Sequence, residues 1–379
     1  MALNVLVLHW GRTGAGPVFT YRIAEALAFN PDFRISVSFS TDAEISSAFE
    51  SLPLPKLPVK TFTNRRQFIC SLLRLPWLGL RLWHFMRVND VDVVIVGMEQ
   101  VLQAPLARLF TTGKTRYLLL LHDGQGHLGE DSLISRSLRQ MQLAHVSGLI
   151  VLSDFVRDQV AQDPRLSMLP IFQTRYPANV VDPDASYPMR TLPRDRPVAL
   201  GMFGRAVAYK GFDLAIEACK KLRAAGTPVT LTIIGKGLKQ LVGNVDADWF
   251  RVEDRWIAED EVLAILQSFD VILLPYKEAS QSGVLAECTA LGIPAIVTPV
   301  GGLPEQVNEA KCGIVSEAIS GASIADAVLT LIETPGKYEE CSRNGISSSH
   351  TSLSWEIVRD EVAQAISSIA ILDRDTDAV

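Results

Sequence analysis

Short apolar runs recur along this chain with Gly, Pro or polar residues beside them, and the stretches between carry apolar positions at helical spacing. The first set is Val5 to His9, Ile35 to Phe39, Val93 to Val96, Tyr117 to Leu121 and Leu149 to Leu152. Runs this short, without polar alternation, suit strands buried on both faces, and their alternation with helices predicts a parallel, doubly wound sheet. A Pro- and Asp-rich stretch, Tyr176 to Pro197, then lacks any regular period and reads as a connector. The alternation restarts with Val198 to Phe203, Val229 to Ile234, Phe250 to Val252, Val271 to Leu274 and Ala295 to Val297. The pattern therefore predicts an α/β chain of two Rossmann-like, doubly wound parallel-sheet domains, 1–180 and 198–352, joined by a linker over 181–197. A helix from about Ser354 to Ala370, with Trp355, Ile357, Val358, Val362 and Ile366 on one side, occupies the segment 353–379. It is expected to pack back toward the N-terminal domain, with a frayed tail after Asp373. Open α/β sheets bind ligands at the carboxyl ends of their strands, so two of them place their loops on facing edges of a cleft.

Length and composition agree with this division. The chain has 379 residues, 48% of them hydrophobic and 21% charged, which is too long for one typical core. A formal net charge of −6 supplies no basic surface for tracking phosphates, which excludes nucleic acid as the main partner. Five scattered cysteines, with no CxxC pair, fit neither a disulfide framework nor a zinc site and point to a reducing cytosol. The start, MALNVLVLHWG, reads as a first strand rather than a signal, and no apolar segment is long enough to span a bilayer.

The candidate chemistry gathers after predicted strands. Pro275 to Val307 places polar, acidic and glycine residues between two apolar runs, and Ser282 to Leu291 reads as a helix whose start favours an anion. In FGRAVAYKGFDLAIEA, Arg205 and Lys210 project from the loop after a strand, where two fixed cations suit a diphosphate; solvated surface charges are the plainer reading. IIGKG, residues 233 to 237, adds backbone amides nearby. GRTGAGP, after the first strand, has the glycines for close approach to a phosphate or sugar but not the dinucleotide spacing GxGxxG. His122 follows the run YLLLL, where it either donates a hydrogen bond to a substrate or is an ordinary hydrogen-bonded histidine; His127 fits the ordinary reading better. The spaced pairs Asp90 and Asp92, Asp182 and Asp184, and Asp246 and Asp248 read as solvated turns, so no metal site is expected. Arg65 to Arg87 mixes leucines and aromatics with five arginines. It reads equally as an interfacial segment for anionic lipid or as an amphipathic helix packed on the first sheet and bent at Pro76.

Taken in order, FGRAVAYKGFDLAIEA, IIGKG and AECTALGIPAIVTPVGGLPEQV resemble the C-terminal donor domain of the GT-B retaining glycosyltransferases, family four (glycosyl transferases group 1), and the resemblance extends over nearly the whole chain. It implies a GT-B fold of two facing Rossmann-like domains, the first for the acceptor and the second for a nucleotide sugar. It places Arg205 and Lys210 on the donor diphosphate, with Gly204 and Gly235 in the loops around it. Glu287, the second acid of the family's E-x7-E motif, holds the ribose hydroxyls, for which a carboxylate is a good acceptor. Where the first acid belongs this chain has Ala279, so either Glu278 serves or Ser280, Gln281, Ser282, Gly283 and Val284 take over the donor contacts. His122 aligns with a histidine near the transferred sugar, and Gly14 to Gly16 with a loop near phosphate and acceptor.

The implied reaction moves a hexose from a nucleotide diphosphate sugar to an acceptor hydroxyl, with retention, without a metal or cofactor. The acceptor is a sugar or a lipid-linked oligosaccharide in bacterial polysaccharide or glycolipid synthesis, and the place is cytoplasmic or peripheral at the inner face of the membrane. The alternatives are a GT-B nucleotide-sugar epimerase and a non-catalytic sugar-binding module. A glycogen-type phosphorylase would be far longer, and a Rossmann dehydrogenase would need the complete glycine fingerprint.

Overall fold

The computed structural model describes residues 2–124, 133–178, 187–243 and 247–371. Contacts divide the chain into two compact units, Met1–Arg175 with Trp355–Val379, and Tyr176–Ser354. The first holds seven strands, β1 (Leu3–His9), β2 (Phe33–Ser40), β3 (Lys56–Val59), β4 (Val93–Val96), β5 (Arg116–Leu121), β6 (Gly148–Val151) and β7 (Ile171–Gln173). Their spatial order is β3-β2-β1-β4-β5-β6-β7, and every neighbouring pair is parallel. The second unit holds β8 (Val198–Phe203), β9 (Val229–Gly235), β10 (Phe250–Asp254), β11 (Val271–Leu274), β12 (Ala295–Val297) and β13 (Gly313–Val315). Its order is β10-β9-β8-β11-β12-β13, again all parallel. In each sheet the winding reverses beside the unit's first strand, between β1 and β4 and between β8 and β11. Ligands of open α/β sheets bind at such a reversal.

Burial follows the pleat. In β11, Val271 and Leu273 join one core cluster with Leu200, Met202 and Leu231, while Ile272 and Leu274 join another with Ala295 and Val297. Alternate side chains thus enter cores on opposite faces of the sheet, which is why the run shows no polar alternation. In the first unit, VVIV of β4 is buried at all four positions.

Two differences from the sequence reading concern edges and joints. β3, β7 and β13 were not expected; all three are edge strands of three or four residues, and Pro58 lies within β3. Residues 187–197, expected as linker, lie on the second unit: Arg190 N donates to Ser342 Oγ at 2.9 Å, and the Arg196 guanidinium grips Asp270 through two bonds of 2.6 and 2.9 Å. The helix Trp355–Ile371 belongs to the first unit, where Thr174 Oγ1 donates to Glu361 Oε2 at 2.7 Å and Trp355 meets Phe19 edge to face. His127, Asp182, Asp184, Asp246 and the tail after Asp373 lie outside the described residues.

The segment Arg65 to Arg87 forms two helices, Arg65–Leu73 and Leu75–Val88, with Pro76 in the first turn of the second. Leu78, Leu82 and Met86, one turn apart, are buried in the core shared with β1 and β4. The packed-helix reading therefore holds for this inner face.

Candidate functional site

In the second unit, the loops after β8, β9, β11 and β12 lock into one another at the strand ends. Gly211 caps the turn Ala208–Lys210 and opens the helix Phe212–Ala224 with φ 68°, a left-handed conformation that L side chains rarely take. A Cβ there would lie 1.9 Å from the Pro275 carbonyl oxygen, so the loop after β8 rests directly on the loop after β11. Lys277 N donates to Tyr209 O at 2.6 Å across the same seam. Gly235 packs its bare face on the Gly204 carbonyl, and Gly204 N donates to Ile234 O at 3.0 Å.

These contacts place Lys210 at the β8/β11 reversal. Its ammonium lies over the bare face of Gly204, where a Cβ would approach Nζ to 2.5 Å, and 5.4 Å from the Tyr276 ring centroid. Among the described residues no carboxylate lies within ion-pair distance of it. Burial first, and the Arg205 charge second, lower its pKa from the usual lysine value to about 8. Arg205 itself is exposed. Lys210 is half-buried, and a desolvated cation without a counter-carboxylate is costly to a folded protein and is characteristic of a site that receives an anion.

The helix expected from Ser282 spans Gly283–Ala290, with Ser282 as its N-cap. Ser282 Oγ accepts from Leu285 N at 3.3 Å, and Ser282 N donates to Gln306 Oε1 at 2.8 Å. The Ser282 side chain and amide are thus engaged in shaping the turn, which leaves Gly283 and Val284 as the first-turn amides without a helix partner. Ser280 is buried and its carbonyl accepts from Gly302 N at 3.0 Å. Gln281, Glu278 and Glu287 are partly exposed beside it, and Ala279 is buried, its carbonyl against Gly301. At IIGKG the Gly237 amide donates to Asp254 Oδ1 at 2.7 Å and Lys239 N to Oδ2 at 3.0 Å. An internal carboxylate therefore takes the Gly237 amide that the sequence reading offered to a ligand.

In the first unit, the expected glycine loop and His122 both lie at strand ends. The helix opens at Ala15, with Gly14 as N-cap at φ 82° and Gly16 within the first turn. Gly11 and Gly16 both press on the His9 imidazole, where a Cβ would lie 2.2 and 2.6 Å from Nε2. His9 was not singled out, although it ends its strand as His122 follows its own. Burial, with the His122 charge second, lowers the pKa of His9 to about 3; burial lowers that of His122 to about 4, so both rings are neutral at physiological pH. Phe19 stands edge to face with His122 at 5.6 Å. Glu99, after β4, is half-buried and its pKa is raised by desolvation, which the facing Arg139 at 3.2 Å opposes. Arg139 also donates to Asp123 O at 2.6 Å and Gly124 O at 2.8 Å, clamping the loop that carries His122. Neither Glu99 nor Arg139 has a sequence signal, because the clamp runs from the helix Leu133–Leu143 to the loops after β4 and β5.

Asp90 and Asp92 lie at the opposite end of β4, paired with Lys114 at 3.7 and 2.9 Å, and Asp92 accepts from Asn4 N. Among the described residues no group of three or more His, Cys, Asp or Glu is placed to hold a metal ion.

Residues 197–334 match the family described as glycosyl transferases group 1. The glycogen synthase of Mycobacterium tuberculosis is 28% identical over 177 residues, 45% of this chain and 43% of that protein. The chain thus aligns with less than half the length of that relative. Among solved structures, sucrose-phosphate synthase from Thermosynechococcus elongatus superposes with a TM-score of 0.70 at 15% identity, covering 97% of this chain and 99% of the other. Anabaena HepE, solved with UDP-glucose, gives 0.70 at 15% identity over 97% and 100%. At such identity the structural likeness speaks for the fold alone. The resemblance read from the motifs therefore holds: the chain is similar to the glycosyl transferases of group 1 through residues 197–334, and its two Rossmann-like units are those of the GT-B fold.

Proposed function

We propose that this protein is a retaining glycosyltransferase that moves a hexose from a nucleotide diphosphate sugar to an acceptor hydroxyl. The observation that carries the reading is Lys210, a half-buried cation at the β8/β11 reversal with no carboxylate within ion-pair distance among the described residues. A diphosphate supplies the missing counter-charge. Arg205 and Lys210 stabilise the charge that grows on the departing diphosphate, which is the role a divalent metal takes elsewhere. Glu287 accepts the ribose hydroxyls, Gly283 and Val284 offer amides, and Glu278, Ser280 and Gln281 line the sugar side of the loop. Gly204 leaves room for the Lys210 ammonium, and Gly235 lets its loop close on the Gly204 carbonyl. The first unit receives the acceptor, with Gly14, Gly16 and His122 among its contacts.

Positive charge grows on the sugar as its bond breaks, so positioning and electrostatics outweigh a strong protein base. The acceptor proton passes to an oxygen of the leaving phosphate. In this reading the acceptor is a sugar or lipid-linked oligosaccharide of bacterial polysaccharide or glycolipid synthesis, met at the inner face of the membrane. The support is the family match over 197–334 and a fold shared with a protein solved with UDP-glucose.

The test is transfer by the purified chain across a panel of nucleotide sugars, with the anomeric configuration of the product read by NMR. Lys210→Ala is expected to lower turnover by about 10²- to 10³-fold, the scale of losing one group that stabilises transition-state charge. Its circular dichroism should stay unchanged. Full turnover by the folded variant overturns the assignment, and release of an altered nucleotide sugar without acceptor indicates epimerisation instead.

A further inference from the structure

The inner face of the helix Leu75–Val88 is satisfied by Leu78, Leu82 and Met86, so folding makes no demand on its outer face. That outer face is nevertheless apolar and aromatic: Leu73 is 78% exposed, Trp77 56%, Leu80 62% and Val88 70%, with Ile69 and Trp83 beside them. A patch of this kind on a folded domain marks an interaction surface. Its charge is one-sided. Residues 65–88 hold five arginines and no acidic residue, in a chain whose net charge is −6. The Arg81 guanidinium lies 4.7 Å from the Trp77 ring centroid and that of Arg87 5.4 Å from Trp83, so each exposed indole carries a cation at its side.

We propose that the outer face of the helices Arg65–Leu73 and Leu75–Val88 docks on an anionic lipid bilayer. The indoles and leucines enter the headgroup boundary while the arginines meet lipid phosphates. Charge complementarity selects this occupant. A protein interface is rimmed by charges of both signs, whereas the charged residues within this segment are all arginines. The docking is a property of the first unit and does not depend on which reaction the chain performs.

The experiment is sedimentation of the full chain with vesicles of phosphatidylcholine containing phosphatidylglycerol, against phosphatidylcholine alone, without donor or acceptor. Binding is expected only with the anionic lipid and should weaken with salt. Trp77→Ser with Trp83→Ser should reduce partitioning by about tenfold or more. Arg81→Gln with Arg87→Gln should reduce it by about fivefold per arginine. Both pairs are on the surface, so thermal melting should match the parent, and the arginine pair serves alone if the tryptophan pair does not fold. Equal binding to neutral vesicles, or undiminished binding by the variants, overturns the proposal. So does a dimer in light scattering that the tryptophan substitutions dissociate while the parent ignores lipid, since the face would then be covered by a second copy.

Discussion

Lys210 is cationic only while its surroundings allow it. Its pKa is lowered to about 8, chiefly by desolvation, so the ammonium is lost as pH rises through about 8 rather than near the usual lysine value. If that ammonium holds the diphosphate, kcat/KM, which reports the free protein, should show an alkaline limb near pH 8. The limb in kcat should lie higher, because a bound diphosphate favours the charged form. Stability moves the other way: between pH 8 and the unfolded lysine value the folded Lys210 is neutral while the unfolded one keeps its proton, so this group adds stability as pH rises. Activity lost without a fall in melting temperature therefore separates ligand binding from alkaline unfolding. Lys210→Arg, ionised throughout, should remove the limb, and its persistence there would assign the titration elsewhere. His122 was legible because a polar residue directly after a buried run sits at a strand end, and Lys210 because it lies in the loop that follows such a run. His9 carries the same signal, but its glycine cradle does not show until the loop folds back from Gly11 to Gly16. Ser282 shows the converse: its type and place suit a ligand contact, yet its side chain caps a helix and its amide serves Gln306.

The elements themselves were legible wherever they are interior. β4, β8, β11 and β12 run over the expected residues, since strands covered on both faces must be apolar throughout. Edge strands have no such demand, and β3, with Pro58, and β13, with Gly313, are recruited by the neighbour they pair with. The joint between the loop after β8 and the loop after β11 gives a test at this scale. Gly211→Ala must adopt φ 68° and push its Cβ into the Pro275 carbonyl, so it should cost at least about 2 kcal/mol and lower the melting temperature by several degrees. Because the same joint seats Lys210, nucleotide sugar binding measured by calorimetry should weaken as well. A variant that melts and binds like the parent would show that the seam is not needed.

For the molecule as a whole, the helix Trp355–Ile371 comes after the second unit in sequence but completes the first. It buries Val358, Val362, Ala365, Ile366 and Ile369, and Glu361 holds Thr174 and Arg175. Each buried aliphatic side chain contributes about 1.5–3 kcal/mol, and a domain has only about 5–15 kcal/mol to lose. Removing residues 355–379 should therefore unfold the first unit and leave the second. Hydrogen exchange would show fast exchange in β1 to β7 with protection kept in β8 to β13, and uniform protection would overturn this division. By itself the sequence determined the two rounds of βα alternation, the interior strands and the motif order of the second half, because local periodicity and strand-end chemistry are short-range. Only the tertiary structure decided that residues 187–197 pack on the second unit, that Asp254 occupies a loop amide and that Lys210 meets no carboxylate among the described residues. Each of these depends on residues far apart in the chain, and the physical reason is the same in every case: burial and hydrogen-bond partnership are fixed by what packs alongside, which local pattern does not encode.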